Sequence, residues 1–137
     1  MTVHTTNYFD TLILVSPDTR ATAARASDKP GSIADLQYRM MAEAPYRHTS
    51  DDVIFSVHAA RAGVAEPDRP HARAEFFSRG QACLRSSPLV RSHGWGVHAD
   101  ADGRVALIAM ESPQYAALAA SPDVRKVAGM RAARAKP

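Results

Sequence analysis

The sequence predicts an α+β fold: a single domain with a small antiparallel or mixed sheet of about four strands and helices packed on one face. Three observations predict it. Short apolar runs closed by turn residues alternate with stretches of helical periodicity. An Asp-Gly pair joins two apolar runs late in the chain. The 137 residues, 45% hydrophobic and 23% charged, are enough for one proper core. A chain of this length buries roughly two-thirds of the surface its unfolded state exposes, so it needs neither metal nor disulfide to hold together.

The elements follow in order. Thr11-Leu12-Ile13-Leu14-Val15, closed by Ser16-Pro17-Asp18, reads as a buried first strand. Residues 18–31 mix Asp, Thr, Ser, Lys, Pro and Gly with scattered alanines and are expected to form a long mobile loop. Ser32 can cap a helix in which Ile33, Leu36, Met40 and Met41 recur at three and four residues until Pro45 stops it. After a turn at Thr49-Ser50-Asp51, the alternation of Val53, Phe55 and Val57 with Ile54, Ser56 and His58 predicts a second strand. A helix begins near Asp68 and Pro70 and runs through Phe76 and Phe77 to Gly80.

Ser87-Pro88, Ser112-Pro113 and Ser121-Pro122 each join a capping side chain to a proline suited to the first helical position. Each is expected to start a helix, the first a short one from Pro88 to His93 closed by Gly94. The third would carry Val124, Val127 and Met130 on one stripe. Between the first two lies a hairpin, Trp95–Ala99 and Val105–Met110 around Asp100-Ala101-Asp102-Gly103. With a two- or four-residue loop, His98 shares a face with Gly96, Val105, Leu107 and Ala109; a three-residue loop reverses the match.

Charge excludes little by itself. The 17 Lys and Arg exceed the 14 Asp and Glu, but the excess sits in residues 121–137, where Arg125, Lys126, Arg131, Arg134 and Lys136 face Asp123 alone. Nucleic acid is therefore not an expected partner; the basic end reads as a solvated tail. No apolar run approaches the roughly 20 residues of a membrane span. The opening Met-Thr-Val-His-Thr-Thr-Asn has neither a basic start nor an apolar middle, and with the single cysteine, Cys83, the expected location is the cytoplasm.

Five blocks stand out in order: His4-Thr5-Thr6-Asn7-Tyr8-Phe9-Asp10-Thr11; Thr49-Ser50-Asp51-Asp52-Val53; Phe76-Phe77-Ser78-Arg79-Gly80-Gln81-Ala82-Cys83-Leu84-Arg85; Ser87-Pro88-Leu89; and Gly94-Trp95-Gly96-Val97-His98. With them the chain resembles, over nearly its whole length, a family of small bacterial and fungal proteins known only as a domain of unknown function. The resemblance implies no activity, ligand or catalytic residue.

Reactive side chains concentrate between Gln81 and Asp102. Cys83 lies four residues before a helix start, with Arg85 and two histidines near in sequence, a setting that can stabilise a thiolate; a lone cysteine between Ala82 and Leu84 also reads as a small buried hydrophobe. Arg85, Ser86 and Ser87 together with the N–H groups beginning the helix at Pro88 suit an anion, whereas the plain alternative is a cap and an ion pair. His98 on an apolar strand face needs a partner for one ring nitrogen, as a structural histidine or a general base. His4, His58, His93 and His98 lack the close spacing of a zinc site, so no metal is expected, and no cofactor motif is present. Ser86, His98 and Asp100 are the residue types of a hydrolase triad without its nucleophile turn.

Two functional readings follow. The first is a small protein binding a small anionic molecule, and acting on it if it is an enzyme, in a pocket built from residues 81–98 and 4–10. There Cys83 and His98 would be the catalytic candidates, and Arg85, Ser86, Ser87, Trp95, His4 and Tyr8 the ligand-binding ones. The alternative is a non-catalytic module working as a homodimer or with a protein partner through the stripe Val124, Val127 and Met130.

Overall fold

The computed structural model describes residues 4–131. Four strands form one sheet in the order β3-β2-β1-β4, with β1 at Thr11–Leu14, β2 at Trp95–Ala99, β3 at Val105–Ala109 and β4 at Arg125–Ala128. The sheet is mixed: β2 runs antiparallel to β1 and β3, and β4 is parallel to β1. Five helices complete the fold: α1 (Ile33–Glu43), α2 (Ser50–Ala62), α3 (Arg69–Phe76), α4 (Pro88–Ser92) and α5 (Pro113–Ala120). The α+β class with a four-stranded mixed sheet is thus as the sequence predicts. No helix among the described residues is long and apolar enough to cross a membrane.

One strand and one helix change places relative to the sequence reading. The segment Val53–His58 is not a strand but the middle of α2. Thr49 caps it by accepting from the Asp52 N–H while the Asp52 carboxylate accepts from the Thr49 N–H, a reciprocal box that satisfies two orphan donors. Gly63, at φ +70°, closes the other end in the left-handed conformation. The apparent alternation comes from burial on opposite sides of a helix. Val53 belongs to the core under the sheet, whereas Phe55 and Ala59 belong to a second cluster with Phe77. Successive turns therefore feed two cores, which leaves little polar face to reveal the period.

The stripe Val124, Val127 and Met130 is not helical. Ser121 ends α5, donating its N–H to the Leu118 carbonyl, and the chain turns into β4. All four residues of β4 pair with β1, so the open edge of a buried strand captures the segment. Val127 packs against the core and only Met130 stays exposed. The support for an oligomeric module on that stripe falls with the helix.

Elsewhere the local signals hold. Ser32, Ser87 and Ser112 each accept a hydrogen bond from an N–H of the helix they begin. The hairpin has the three-residue loop: the Asp100 N–H donates to the Arg104 carbonyl, Gly103 takes φ +79°, and the Asp100 carboxylate accepts from the N–H groups of Asp102 and Arg104. The register pairs Val97 with Leu107 and His98 with Ala106. His98 accordingly shares its face with Gly96, Ala106 and Ile108, and not with Leu107 and Ala109.

The main core lies between the sheet and α1, α2 and α4, where Ile13, Met41, Val53, Leu84, Leu89, Val90, Val97, Ala99 and Val105 are buried together. Each large aliphatic side chain there contributes about 1.5–3 kcal/mol through burial. The expected placement of the helices on one face holds for α1, α2 and α4, but α5 lies on the reverse face, so close that a Cβ on Gly96 would lie 2.7 Å from the Tyr115 ring. Residues 18–31 contain no helix or strand, yet the loop is tied down: the Arg25 N–H donates to the His93 carbonyl, the Ala24 N–H to Glu111 and the Trp95 indole N–H to the Arg25 carbonyl.

Candidate functional site

A concavity lies among α1, α2, α4 and the Gln81–Ser87 segment, on the helical side of the main core. It measures about 660 Å³. Ile33 of α1, Ile54 and Val57 of α2, Phe76 of α3 and Pro88 of α4 give it an apolar wall. The polar groups are Gln37, His58, Arg61, Gln81, Cys83, Ser86, Ser87 and Arg91. None of the lining residues is acidic.

Local chemistry fixes this shape. The Ser87 hydroxyl is buried, donates to the Gln37 side-chain carbonyl and accepts from the Leu89 N–H, which joins α1 to the start of α4. Breaking such a buried pair would leave an unsatisfied group costing about 1–3 kcal/mol. At the far end His58 stacks on Phe76, ring centroids 4.6 Å apart, and Phe76 meets Phe55 and Phe77 edge-on. Asp52 anchors α2 to α3 through an ion pair with Arg73 at 2.9 Å. Burial works to raise the Asp52 carboxyl pKa, but the Thr49 N–H and the Arg73 guanidinium outweigh it and hold the group below the usual carboxylate value. Arg61 donates to the Gly31 carbonyl at 3.2 Å and forms no ion pair with the described residues.

Of the residues singled out in the sequence, Cys83, Ser86 and Ser87 line this groove. Tyr8 reaches the same thiol, its hydroxyl 3.8 Å from the Cys83 Sγ. Burial and the neighbouring thiol push the Tyr8 phenol up, with the Arg85 charge opposing. Arg85 does not line the groove: its Nε donates to the Ala128 carbonyl and its own carbonyl accepts from the Met130 N–H, so it caps the end of β4. At the start of α4 the Ser87 hydroxyl is already engaged by Gln37 and the helix cap.

His98, Trp95 and His4 lie elsewhere. His98 sits on the reverse face of the sheet with its Nδ1 2.8 Å from the Tyr46 hydroxyl, and burial lowers its pKa against the opposing charges of Asp100 and Asp10. Trp95 packs on Tyr38 and holds the long loop through its indole N–H. His4 is exposed, its N–H donating to the Phe77 carbonyl. The thiol, the guanidinium of Arg85 and the imidazole of His98 therefore do not converge on one hollow. Among the described residues no three of His, Cys, Asp and Glu gather closely enough to hold a metal ion.

The sequence reading missed the half of the groove that α1 and α2 supply, Gln37, Ile54, Val57, His58 and Arg61. The signal that reveals it is the capping pair Thr49 and Asp52 with Gly63 fourteen residues after Thr49, which brackets a helix and places Ile54, Val57, His58 and Arg61 on one side at spacings of three and four.

Residues 3–135 match the model of a family of unknown function, DUF6157, and the chain belongs to that family. No curated protein and no solved structure matches it.

Proposed function

We propose that this protein binds a small anionic molecule with an apolar part in the groove of α1, α2 and α4. One observation carries the reading: a concavity of small-molecule size whose lining joins an apolar wall to the Arg61 guanidinium and contains no acidic residue. The Gln37 amide and the Ser86 hydroxyl add neutral donors at the same surface. The apolar wall would take the body of the ligand and the guanidinium its charge, since a planar fork of N–H donors suits carboxylate and phosphate oxygens. The proposal is one of binding. Cys83 opens on the groove, but the hydrogen-bond partner described for it is a tyrosine hydroxyl, not a base that would activate a nucleophile.

Thermal unfolding of the whole chain against a panel of organic carboxylates and phosphates tests this. A ligand at a hundred times its Kd stabilises the folded state by about 2.7 kcal/mol, enough to raise the melting temperature by several degrees. Arg61 is exposed, so Arg61→Ala should fold normally and lose that shift. A panel that moves the parent no more than the variant would sink the reading.

A further inference from the structure

The groove continues beyond Arg61. A second hollow of about 440 Å³ shares Ile33, Arg61 and Pro88 with the first and is lined otherwise by Arg25, Ser27, Asp28, Lys29, Ser32, Ala34 and His93. The two differ in chemistry. The first carries Arg91 and His58 but is walled by Ile54, Val57, Phe76 and Ala82, whereas the second has only Ile33, Ala34 and Pro88 as apolar members and gathers Arg25, Lys29, Arg61 and His93 with one carboxylate, Asp28. We propose that the ligand of the groove is a phosphate monoester of an apolar alcohol, with its head in this cationic hollow and its body in the apolar one; the inference rests on the binding proposed above and names its substrate class.

Charge decides the head group. Three permanent cations against Asp28 leave two positive charges, which a phosphomonoester matches, since it carries close to two negative charges at neutral pH. A carboxylate would leave one cation uncompensated. The hollow is also built rather than incidental. Its loop side is pinned where the Arg25 N–H donates to the His93 carbonyl at 2.9 Å, and Arg25 reaches the Ser92 carbonyl through its guanidinium. His93 sets its Nδ1 3.0 Å from both the Pro88 carbonyl and the Ser92 hydroxyl, which fixes the ring at the edge of the hollow. Ser27 and Ser32 add hydroxyls, 3.2 Å apart. Arg61 belongs to both hollows and would sit where the ester oxygen joins head to body.

Calorimetric titration of the full chain with hexyl phosphate, hexanoate and inorganic phosphate tests the assignment. The expected order places hexyl phosphate about tenfold or more ahead of each of the other two, because only it fills both hollows. Lys29 lies on the exposed loop, so Lys29→Ala should keep the parent's melting temperature while weakening hexyl phosphate by about tenfold and narrowing its lead over hexanoate. If hexanoate equals hexyl phosphate in the parent, or Lys29→Ala leaves the lead intact, the head-group assignment is wrong although the groove still binds anions. If none of the three binds, both this assignment and the groove proposal fail for these ligand classes.

Discussion

At the scale of single residues, His98 shows how position and role separate. Its imidazole is half-buried, partnered by Tyr46 at 2.8 Å, and burial favours the neutral form. The sign of the consequence is fixed by linkage. A folded-state pKa below the ordinary 6.5 means that the unfolded chain takes up the proton first as pH falls, so stability present above 6.5 is lost as pH drops from there through the lower folded value. Denaturant unfolding followed between about pH 7.5 and 5 should show this decline, and His98→Gln should flatten it. An unchanged slope in the variant would mean that the decline belongs to other groups. Tyr46 is held at φ +59° beside this pair, a conformation uncommon outside glycine, and its N–H donates to the Val105 carbonyl at the outer strand. These are the marks of a structural pair that seats the chain on the β3 edge.

At the scale of elements, the position after α4 matters most, because it is where the long loop meets the sheet. Gly94 has φ +80°, and a Cβ there would lie 2.5 Å from the Ala23 carbonyl oxygen. Gly94→Ala combines left-handed strain with a backbone clash and is expected to cost about 2–4 kcal/mol in urea unfolding. A cost below about 1 kcal/mol would show that the loop moves aside freely. The helix α2 holds the most consequential difference between pattern and fold. A short apolar alternation is read as a strand by periodicity, yet Thr49 and Asp52 mark a helix start, and the cap is the more reliable signal because it satisfies specific donors. Once α2 is a helix, Ile54, Val57, His58 and Arg61 turn together toward Gln37 and Pro88, and the groove exists.

At the scale of the whole molecule, β4 closes the sheet from far away in sequence. It pairs residue for residue with β1, the Arg125 N–H donating to the Asp10 carbonyl and the Gly129 N–H to the Leu14 carbonyl. Removing the chain after Ser121 deletes this strand and opens the edge of β1, beside the fully buried Leu12. The truncated chain should lose its cooperative unfolding transition and scatter light as aggregates. A truncated chain with the parent's melting temperature would mean that the sheet holds together without β4.

The sequence by itself determined what nearest neighbours decide: the caps at Ser32, Ser87 and Ser112, the first strand, the hairpin with its Asp-Gly turn, and the α+β class. These depend on hydrogen bonds and torsions within a few residues, so the local pattern contains the answer. Only the tertiary structure decided whether Val124–Met130 is helix or strand, since the free edge of β1 offers that segment hydrogen bonds no local turn could match. It also decided that Arg85 caps the end of β4 and that His98 lies on the reverse face of the sheet, outside the groove that Cys83 lines. Which side chains share a hollow depends on packing between elements distant in sequence, and residues 81–98 lack the α1 and α2 side chains that complete this one.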